Sequence, residues 1–403
     1  MAGHAEHRYM ASTAAALSSC NTAIGRMTTT GTSEPRAGSR VLIVGSMANV
    51  AGAPIAAMRL AHGFRERGHE VSAIFLYERA PVPSPPHPYD VLARTDSPTL
   101  KDYLAMARGI FALVRREKPD VVVSFLPLAH ILAQSAALLN GVGRRIVSHR
   151  VPIDTYGSPL RQINMLFAWI GVYTGVSAVS KATLASCADY PKRLLQRATT
   201  IPNALLDWPK PTVPRAAARE ALGFSNGQVV LAAVGRLAEQ KNYGVLVEVM
   251  AKLDERFVLA IAGDGPLRAQ MEARIEQAGL SARIKLLGPL PRLEVANLLE
   301  ACDIYVMPSL FEGHSNALLE ALAADKPIIA HDIAEQREVL IAADGQLAGI
   351  LVPVDKVDDW VSAIRMLDSD PGLAAQLRNV GRAQNQVFSF KRMMDQYEAL
   401  IGA

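Results

Sequence analysis

Short β-branched runs recur through the first half of the chain: Val41–Val44, Val71–Leu76, Val121–Phe125, Arg145–Val147 and Val176–Val179. Longer segments with apolar residues at helical spacing lie between them, such as Pro54–Arg67 and Leu100–Glu117. Near-continuous apolar strands alternating with helices predict a parallel sheet covered on both faces. The pattern breaks at 203–214, where NALLDWPKPTVP carries three prolines and few periodic apolar positions; this predicts a linker. The alternation then restarts. Strands are expected at Val229–Val234, Val258–Ala262, Arg283–Leu286, Ile304–Met307, Pro327–Ala330 and Gly349–Val352. Helices are expected at Tyr243–Lys252, Gly265–Gln277, Leu293–Ala301 and from Ser315 to Ala323. The whole reads as α/β, two doubly wound (Rossmann-like) domains in series. Such domains bind ligands at the carboxyl ends of their strands, so a cleft between those ends is expected. A last helix over 390–401 places Met393, Tyr397 and Leu400 on one face.

One uncharged run, QINMLFAWIGVYTGVSAVS between Arg161 and Lys181, approaches the length of a membrane span. Gln162, Asn164, Thr174 and Ser177 dilute it, and Gly171 and Gly175 interrupt it. A buried helix over 159–170 followed by a buried strand over 174–179 is the better prediction. Residues 1–38 are rich in Ala, Ser, Thr and Gly without apolar period, which reads as a disordered tail. Leu17–Cys20 loosely resembles a lipoprotein cleavage site but lacks an apolar core before it, and Met27 is an alternative start.

Composition narrows the class. Half of the 403 residues are apolar and 20% are charged, the balance of a globular chain of two or three domains. Three cysteines, Cys20, Cys187 and Cys302, are too few and scattered for a disulfide framework or a Cys-based metal site. A reducing compartment is expected. The net charge of +4 is too small to argue for nucleic acid, but it is unevenly spread. Residues 39–210 hold 20 Lys and Arg against 11 Asp and Glu, and residues 211–403 hold 19 against 25. The basic half suits anions such as phospholipid headgroups or a phosphorylated acceptor.

Candidate chemistry concentrates in the acidic half. After the strand ending at Val234 comes Gly235-Arg236-Leu237-Ala238-Glu239-Gln240-Lys241, a glycine followed by two cations five residues apart. Arg236 can fork onto two oxygens of a diphosphate while Lys241 acts as a point charge. After the strand ending at Met307 comes Pro308-Ser309-Leu310-Phe311-Glu312-Gly313-His314-Ser315-Asn316-Ala317-Leu318-Leu319-Glu320. Gly313 lets backbone approach a ligand, and free N–H groups near Ser315–Ala317 favour an anion. Glu312 can accept from sugar hydroxyls. Glu320, an acid inside the apolar run Ala317–Ala323, can accept a pair of hydrogen bonds from a ribose diol.

Together these features resemble the retaining glycosyltransferases of family 4, glycosyl transferases group 1, over residues 39–400. The strongest match is Glu312-x7-Glu320 with Gly235-Arg236, Lys241 and Gly263-Asp264-Gly265-Pro266. Val179-Ser180, Leu184, Ile201-Pro202-Asn203 and Gly68-His69-Glu70-Val71 match more weakly. The resemblance implies the GT-B arrangement: a tail (1–38), an acceptor-binding domain (39–205), a nucleotide-sugar-binding domain (206–385) and a C-terminal helix (386–403) returning to the first domain. It implies that Arg236 and Lys241 hold the donor diphosphate, Glu312 the donor sugar and Glu320 the ribose. Gly235, Gly313, His314, Ser315 and Asn316 complete the expected donor site. The loop Gly45–Gly52 is expected near the donor phosphate, so Gly52 joins the set. His149, in Ile146–Arg150, matches a strand-end histidine that contacts the sugar 6-hydroxyl.

The implied reaction moves a sugar from a nucleotide-diphosphate sugar, UDP-linked, to a hydroxyl of a lipid-linked or saccharide acceptor. The anomeric configuration is retained, and the leaving phosphate takes the acceptor proton. No metal or other cofactor is expected, and the nucleotide sugar is a co-substrate. Asp368-Ser369-Asp370 forms an Asp-x-Asp triplet but is expected in a turn outside the cluster. The Pro-rich loop Ala80–Pro88 and the basic half suit peripheral contact with an anionic membrane, at the cytoplasmic face of the inner membrane. Departures from the family occur at Ala51, Ala204, Asp325 and Ala334-Glu335, where relatives carry glycine. The chain lacks the Gly-x-Gly-x-x-Gly and strand-end acid of a Rossmann dehydrogenase, reading Gly45–Val50 and Leu76-Tyr77 instead. A nucleotide-sugar-binding module without turnover, an epimerase and a phosphorylase share the architecture and stand as alternatives.

Overall fold

The computed structural model describes residues 38–402 apart from 50, 51, 80, 81, 83, 84 and 226. The expected tail therefore lies, except for Gly38, outside the described residues, as do Cys20, Met27, Ala51 and part of the loop Ala80–Pro88. The chain divides into two units. One runs to Thr200 and takes in the residues from Tyr397 onward; the other is Ile201–Gln396.

The first unit is built on seven parallel strands: β1 (Arg40–Ala48), β2 (Glu70–Glu78), β3 (Asp90–Arg94), β4 (Val121–Phe125), β5 (Arg144–His149), β6 (Gly175–Ala178) and β7 (Ala198–Thr200). Their order is β3-β2-β1-β4-β5-β6-β7. Every residue of β4 is buried, as a strand between two helix layers requires. Helices Gly52–Glu66, Leu100–Glu117, Pro127–Leu139 and Ser158–Ile170 make the long connections. A capping box starts the second of these. The Asp102 backbone N–H donates to Thr99 Oγ1 at 3.4 Å, and the Thr99 backbone N–H donates to Asp102 Oδ2 at 2.7 Å.

The second unit holds six parallel strands: β8 (Val229–Val234), β9 (Phe257–Ala262), β10 (Ile284–Gly288), β11 (Ile304–Met307), β12 (Ile328–His331) and β13 (Ile350–Val352). Their order is β10-β9-β8-β11-β12-β13. The order reverses between β8 and β11, the switch point at which strand-end loops diverge and leave a crevice for a ligand.

The last helix, Phe390–Gly402, ends inside the first unit. Tyr397 is buried there, its hydroxyl 3.2 Å from Ser148 Oγ. Glu398 meets His69 Nε2 at 3.0 Å, and Arg144 donates to the carbonyls of Ile401 and Gly402. The C-terminal helix therefore returns to the N-terminal domain, as the GT-B arrangement requires.

Two expectations are corrected. A helix does cover Ser158–Ile170, but it is only half covered: Asn164 and Ala168 are buried and Met165 and Phe167 pack on the core, while Ile163, Leu166, Trp169 and Ile170 are exposed. Asp368-Ser369-Asp370 is not a turn between helices. Asp368 and Ser369 end the helix Val357–Ser369, and Asp370 caps the next helix by accepting from the Leu373 N–H at 2.9 Å. Asp368 is paired with Arg256.

Candidate active site

Two loops at the switch point of the second unit carry the predicted residues. The loop after β8 is pinned by backbone contact with the loop after β9. Gly263 has φ 137°, and a Cβ there would lie 2.0 Å from the Gly235 carbonyl oxygen. Gly235 itself has φ 153°, and a Cβ there would fall 2.7 Å from the Tyr243 hydroxyl. Only glycine permits this approach. The Leu237 N–H donates to the Asp264 carbonyl at 3.0 Å, and the Leu267 N–H to the Leu237 carbonyl at 3.0 Å. The motif Gly263-Asp264-Gly265 thus acts as a backing plate for Arg236.

The loop after β11 is tied to the same element. The Leu310 N–H donates to the Gln240 carbonyl at 2.8 Å, and Gln240 Nε2 donates to the Phe311 carbonyl at 2.9 Å. These bonds bring Lys241 and Glu312 together, with Nζ 2.7 Å from Oε1. The side chains are 14% and 8% exposed, so the pair is largely withdrawn from water. Burial, reinforced by the Glu312 carboxylate, pushes the Tyr243 phenol up. Arg236 is exposed, and among the described residues no carboxylate pairs with it. Its guanidinium is open to solvent.

Gly313, His314 and Ser315 are buried in the loop, and Ser315 is the N-cap of the helix Asn316–Ala323. The His314 carbonyl accepts from Asn203 Nδ2 at 2.7 Å, and the His314 ring packs on Phe388 with centroids 5.0 Å apart. Asn203, singled out in Ile201-Pro202-Asn203, thus holds the loop from behind. Glu320 is half-buried one helical turn before the end of Asn316–Ala323. Gly52 and His149 belong to the first unit. Gly52 opens the helix Gly52–Glu66. His149 is fully buried; Nδ1 lies 2.9 Å from the Tyr156 hydroxyl and Nε2 3.1 Å from that of Tyr190. Both ring nitrogens are engaged, so contact with a sugar requires one tyrosine to move.

The reading of the sequence missed one acid. Glu335, at the start of the helix after β12, is half-buried. Burial, with smaller contributions from the carboxylates of Glu338 and Glu312, pushes its carboxyl up to about 7. The departure at Ala334-Glu335 was its only trace in sequence. Above that pH a second negative charge sits near Glu312, where a donor diphosphate would be repelled. The KM for a nucleotide sugar is therefore expected to rise as pH passes from 6 to 8, and Glu335→Gln to flatten that profile. An equally steep profile in the variant would refute the assignment.

Among the described residues no cluster of His, Cys, Asp and Glu could hold a metal ion. Fold and site together define a class: doubly wound proteins that present cations and acids to an anionic ligand at the strand ends.

Comparisons with known proteins agree. The model for Glycosyltransferase Family 4 matches residues 50–205, and that for Glycosyl transferases group 1 matches residues 214–384. The chain belongs to the GT-B-fold glycosyltransferases that these two families describe. It is 34% identical over 143 residues to 2-deoxystreptamine glucosyltransferase of Streptomyces kanamyceticus, covering 33% of this chain and 37% of that one. It is 26% identical over 309 residues to the UDP-Gal:alpha-D-GlcNAc-diphosphoundecaprenol alpha-1,3-galactosyltransferase of Escherichia coli, covering 72% and 77%. The crystal structure of Anabaena HepE with UDP-glucose superposes with a TM-score of 0.77 at 17% identity, over 91% of this chain and 100% of that one.

Proposed function

We propose that the protein transfers a sugar from a nucleotide-diphosphate sugar to a hydroxyl of a lipid-linked or saccharide acceptor, with retention of configuration. The observation that carries this is the withdrawn Lys241–Glu312 pair beside a free Arg236 at the switch point. Lys241 and Arg236 meet the diphosphate, Glu312 the sugar hydroxyls and Glu320 the ribose. The bond from the anomeric carbon to the diphosphate oxygen breaks. The acceptor oxygen bonds to that carbon on the same face, and its proton passes to the leaving diphosphate. Negative charge grows on the leaving group as the bond breaks, and fixed cations lower the barrier by stabilising it. The E. coli relative acts on a diphosphoundecaprenol-linked sugar, and the HepE complex holds UDP-glucose. Both support a UDP-linked donor, and the E. coli relative supports a lipid-linked acceptor in cell-surface polysaccharide or glycolipid synthesis. The net charge of the basic half, and a sequence in which no described helix is long and apolar enough to cross a membrane, fit peripheral contact at the cytoplasmic face of the inner membrane.

Thermal-shift screening against UDP-, GDP- and ADP-sugars is the first test, because a ligand that binds only the folded state raises Tm. A UDP-sugar is expected to give the largest shift, and transfer is expected to survive EDTA. No shift with any nucleotide sugar would remove the proposal. Complete loss in EDTA, restored by Mn²⁺, would remove its metal-free scheme.

A further inference from the structure

Glu312 and Glu335 leave the second sheet from neighbouring strands. Glu312 is in the loop after β11, and Glu335 lies in the first turn of the helix Ala334–Leu340 after β12. β11 and β12 pair in parallel, with Met307 opposite Ala330, so both acids stand at the same end of the sheet. A cross-link holds the two segments together: His331 Nδ1 lies 2.9 Å from the Ser309 carbonyl oxygen. Regular structure on both strands therefore fixes Glu335 beside the loop that carries Glu312.

Among the described residues no cation pairs with Glu335. Lys241 Nζ is held by Glu312 at 2.7 Å. Arg337 is held by Asp332, with Nη2 2.6 Å from Oδ2. His331 turns Nδ1 to the Ser309 carbonyl. The side chains whose charge reaches Glu335 are those of Glu338 and Glu312, both acids. Burial and these two raise its carboxyl to about 7, so near neutrality it is half ionised with nothing to balance it. Two more polar side chains beside the acids are fully buried without a hydrogen-bond partner among the described residues: the Ser309 hydroxyl and the Gln336 amide. The polar groups at this end of the sheet are therefore not satisfied by one another. Too few ligating groups surround Glu335 for a metal ion to supply the charge. An ammonium on the ligand supplies it, together with three N–H donors.

We propose that Glu335 is a specificity-determining residue that selects a donor whose sugar carries a free amine, the ammonium answering the carboxylates of Glu335 and Glu312. The proposal rests on the reading of the second unit as the donor site and names the class of sugar that site takes. A neutral hexose meets the same two acids with hydroxyls alone and leaves their charges opposed. An N-acetylated sugar keeps the nitrogen but loses the charge, so it forgoes the pairing as well. The selection works by complementing one sugar and leaving like charges uncompensated with the others.

The test is calorimetric titration of the full chain at pH 7 with UDP-glucose, with UDP-linked 2-amino-, 3-amino- and 4-amino-hexoses, and with the N-acetylated form of each amine. At least one amine is expected to bind about tenfold or more tighter than UDP-glucose, the usual gain from a charge-assisted hydrogen bond, and its N-acetylated form is expected to lose that gain. The readout is the ratio of the two Kd values within one protein, which a general loosening of the fold does not move. Glu335→Gln should bring the ratio close to one, and Glu335→Asp, which keeps the charge, should retain most of it. Wild type that binds UDP-glucose as well as every amine would overturn the proposal while leaving the donor site in place. A preference that Glu335→Gln keeps in full would equally overturn it. Failure of every UDP-sugar to bind, UDP-glucose included, would overturn the donor site itself and the proposal with it.

Discussion

Lys241→Met is expected to reduce turnover by roughly 10²–10³-fold, the usual loss when one fixed donor to developing negative charge is removed. The same change should lower stability. Lys241 and Glu312 meet at 2.7 Å with side chains 14% and 8% exposed. Removing one partner of such a pair leaves a buried charge without compensation, at a cost of about 3 kcal/mol or more. The two effects separate in the double variant. Lys241→Met/Glu312→Gln removes both charges, so its urea midpoint should return most of the way to wild type, yet its turnover should stay low. Measured by urea unfolding and by transfer or slow hydrolysis of a nucleotide sugar, this dissociation assigns the pair to chemistry as well as to packing. Wild-type turnover in Lys241→Met would remove Lys241 from the site. Rescue of turnover in the double variant would show that the pair serves the fold alone.

The alternation of strands and helices was legible because both sheets are parallel and covered. In β1, β4, β8 and β9 nearly every residue is buried, so each strand reads as a continuous apolar run. The edges of the first sheet were not legible, whereas those of the second, β10 and β13, were. β3 (DVLAR) and β7 (ATT) have no buried residue and no clear alternation. Edge strands are defined by the neighbour they pair with rather than by their own pattern. The helix Ser158–Ile170 failed in the opposite sense. Its apolar residues predicted burial, whereas Trp169 and Ile170 stand out from the unit. Hydrophobicity says that a side chain avoids water in isolation; it does not say which surface of the assembled fold is left without a cover.

The donor loops were legible for a different reason. Gly263 and Gly265 are demanded by backbone contact and Gly235 by its φ of 153° and the Tyr243 hydroxyl, and the sequence shows such demands as glycines at strand ends. The Lys241–Glu312 contact joins residues 71 positions apart. Only the switch point between β8 and β11 brings them together, so no local spacing announces it. Glu335 was hidden for the same reason: its neighbour Glu312 lies on the loop of another strand.

His149 was assigned to a sugar from its place at a strand end, and its surroundings carry a second large expectation. The protein should lose stability steeply as pH falls below 6.5, before most carboxylates titrate. His130 and His149 are both fully buried in the first unit, their rings edge to face with centroids 5.0 Å apart. Burial holds His149 down at about 3, and burial together with the neighbouring His149 holds His130 well below its ordinary value. Their partners do not favour a charge. Ser124 Oγ lies 2.9 Å from His130 Nδ1, the Tyr156 and Tyr190 hydroxyls bond His149, and the buried Arg150 lies close by with the same sign of charge. The unfolded chain binds a proton at each histidine near pH 6.5 while the folded chain does not, so stability drops from 6.5 downward until the folded values are reached. At about pH 5 each histidine costs about 2 kcal/mol, and the two together about 4 kcal/mol, a large part of a typical domain's stability. Glu335 acts in the opposite sense: raised to about 7, it adds stability as pH falls from 7 towards its ordinary range and offsets part of the loss. The comparison that isolates the histidines is the difference between wild type and His130→Gln or His149→Gln, in urea midpoints from pH 7.5 to pH 5. Each variant should show a decline shallower by close to one proton. A decline identical to wild type in both would mean that the two rings take up protons within the folded core.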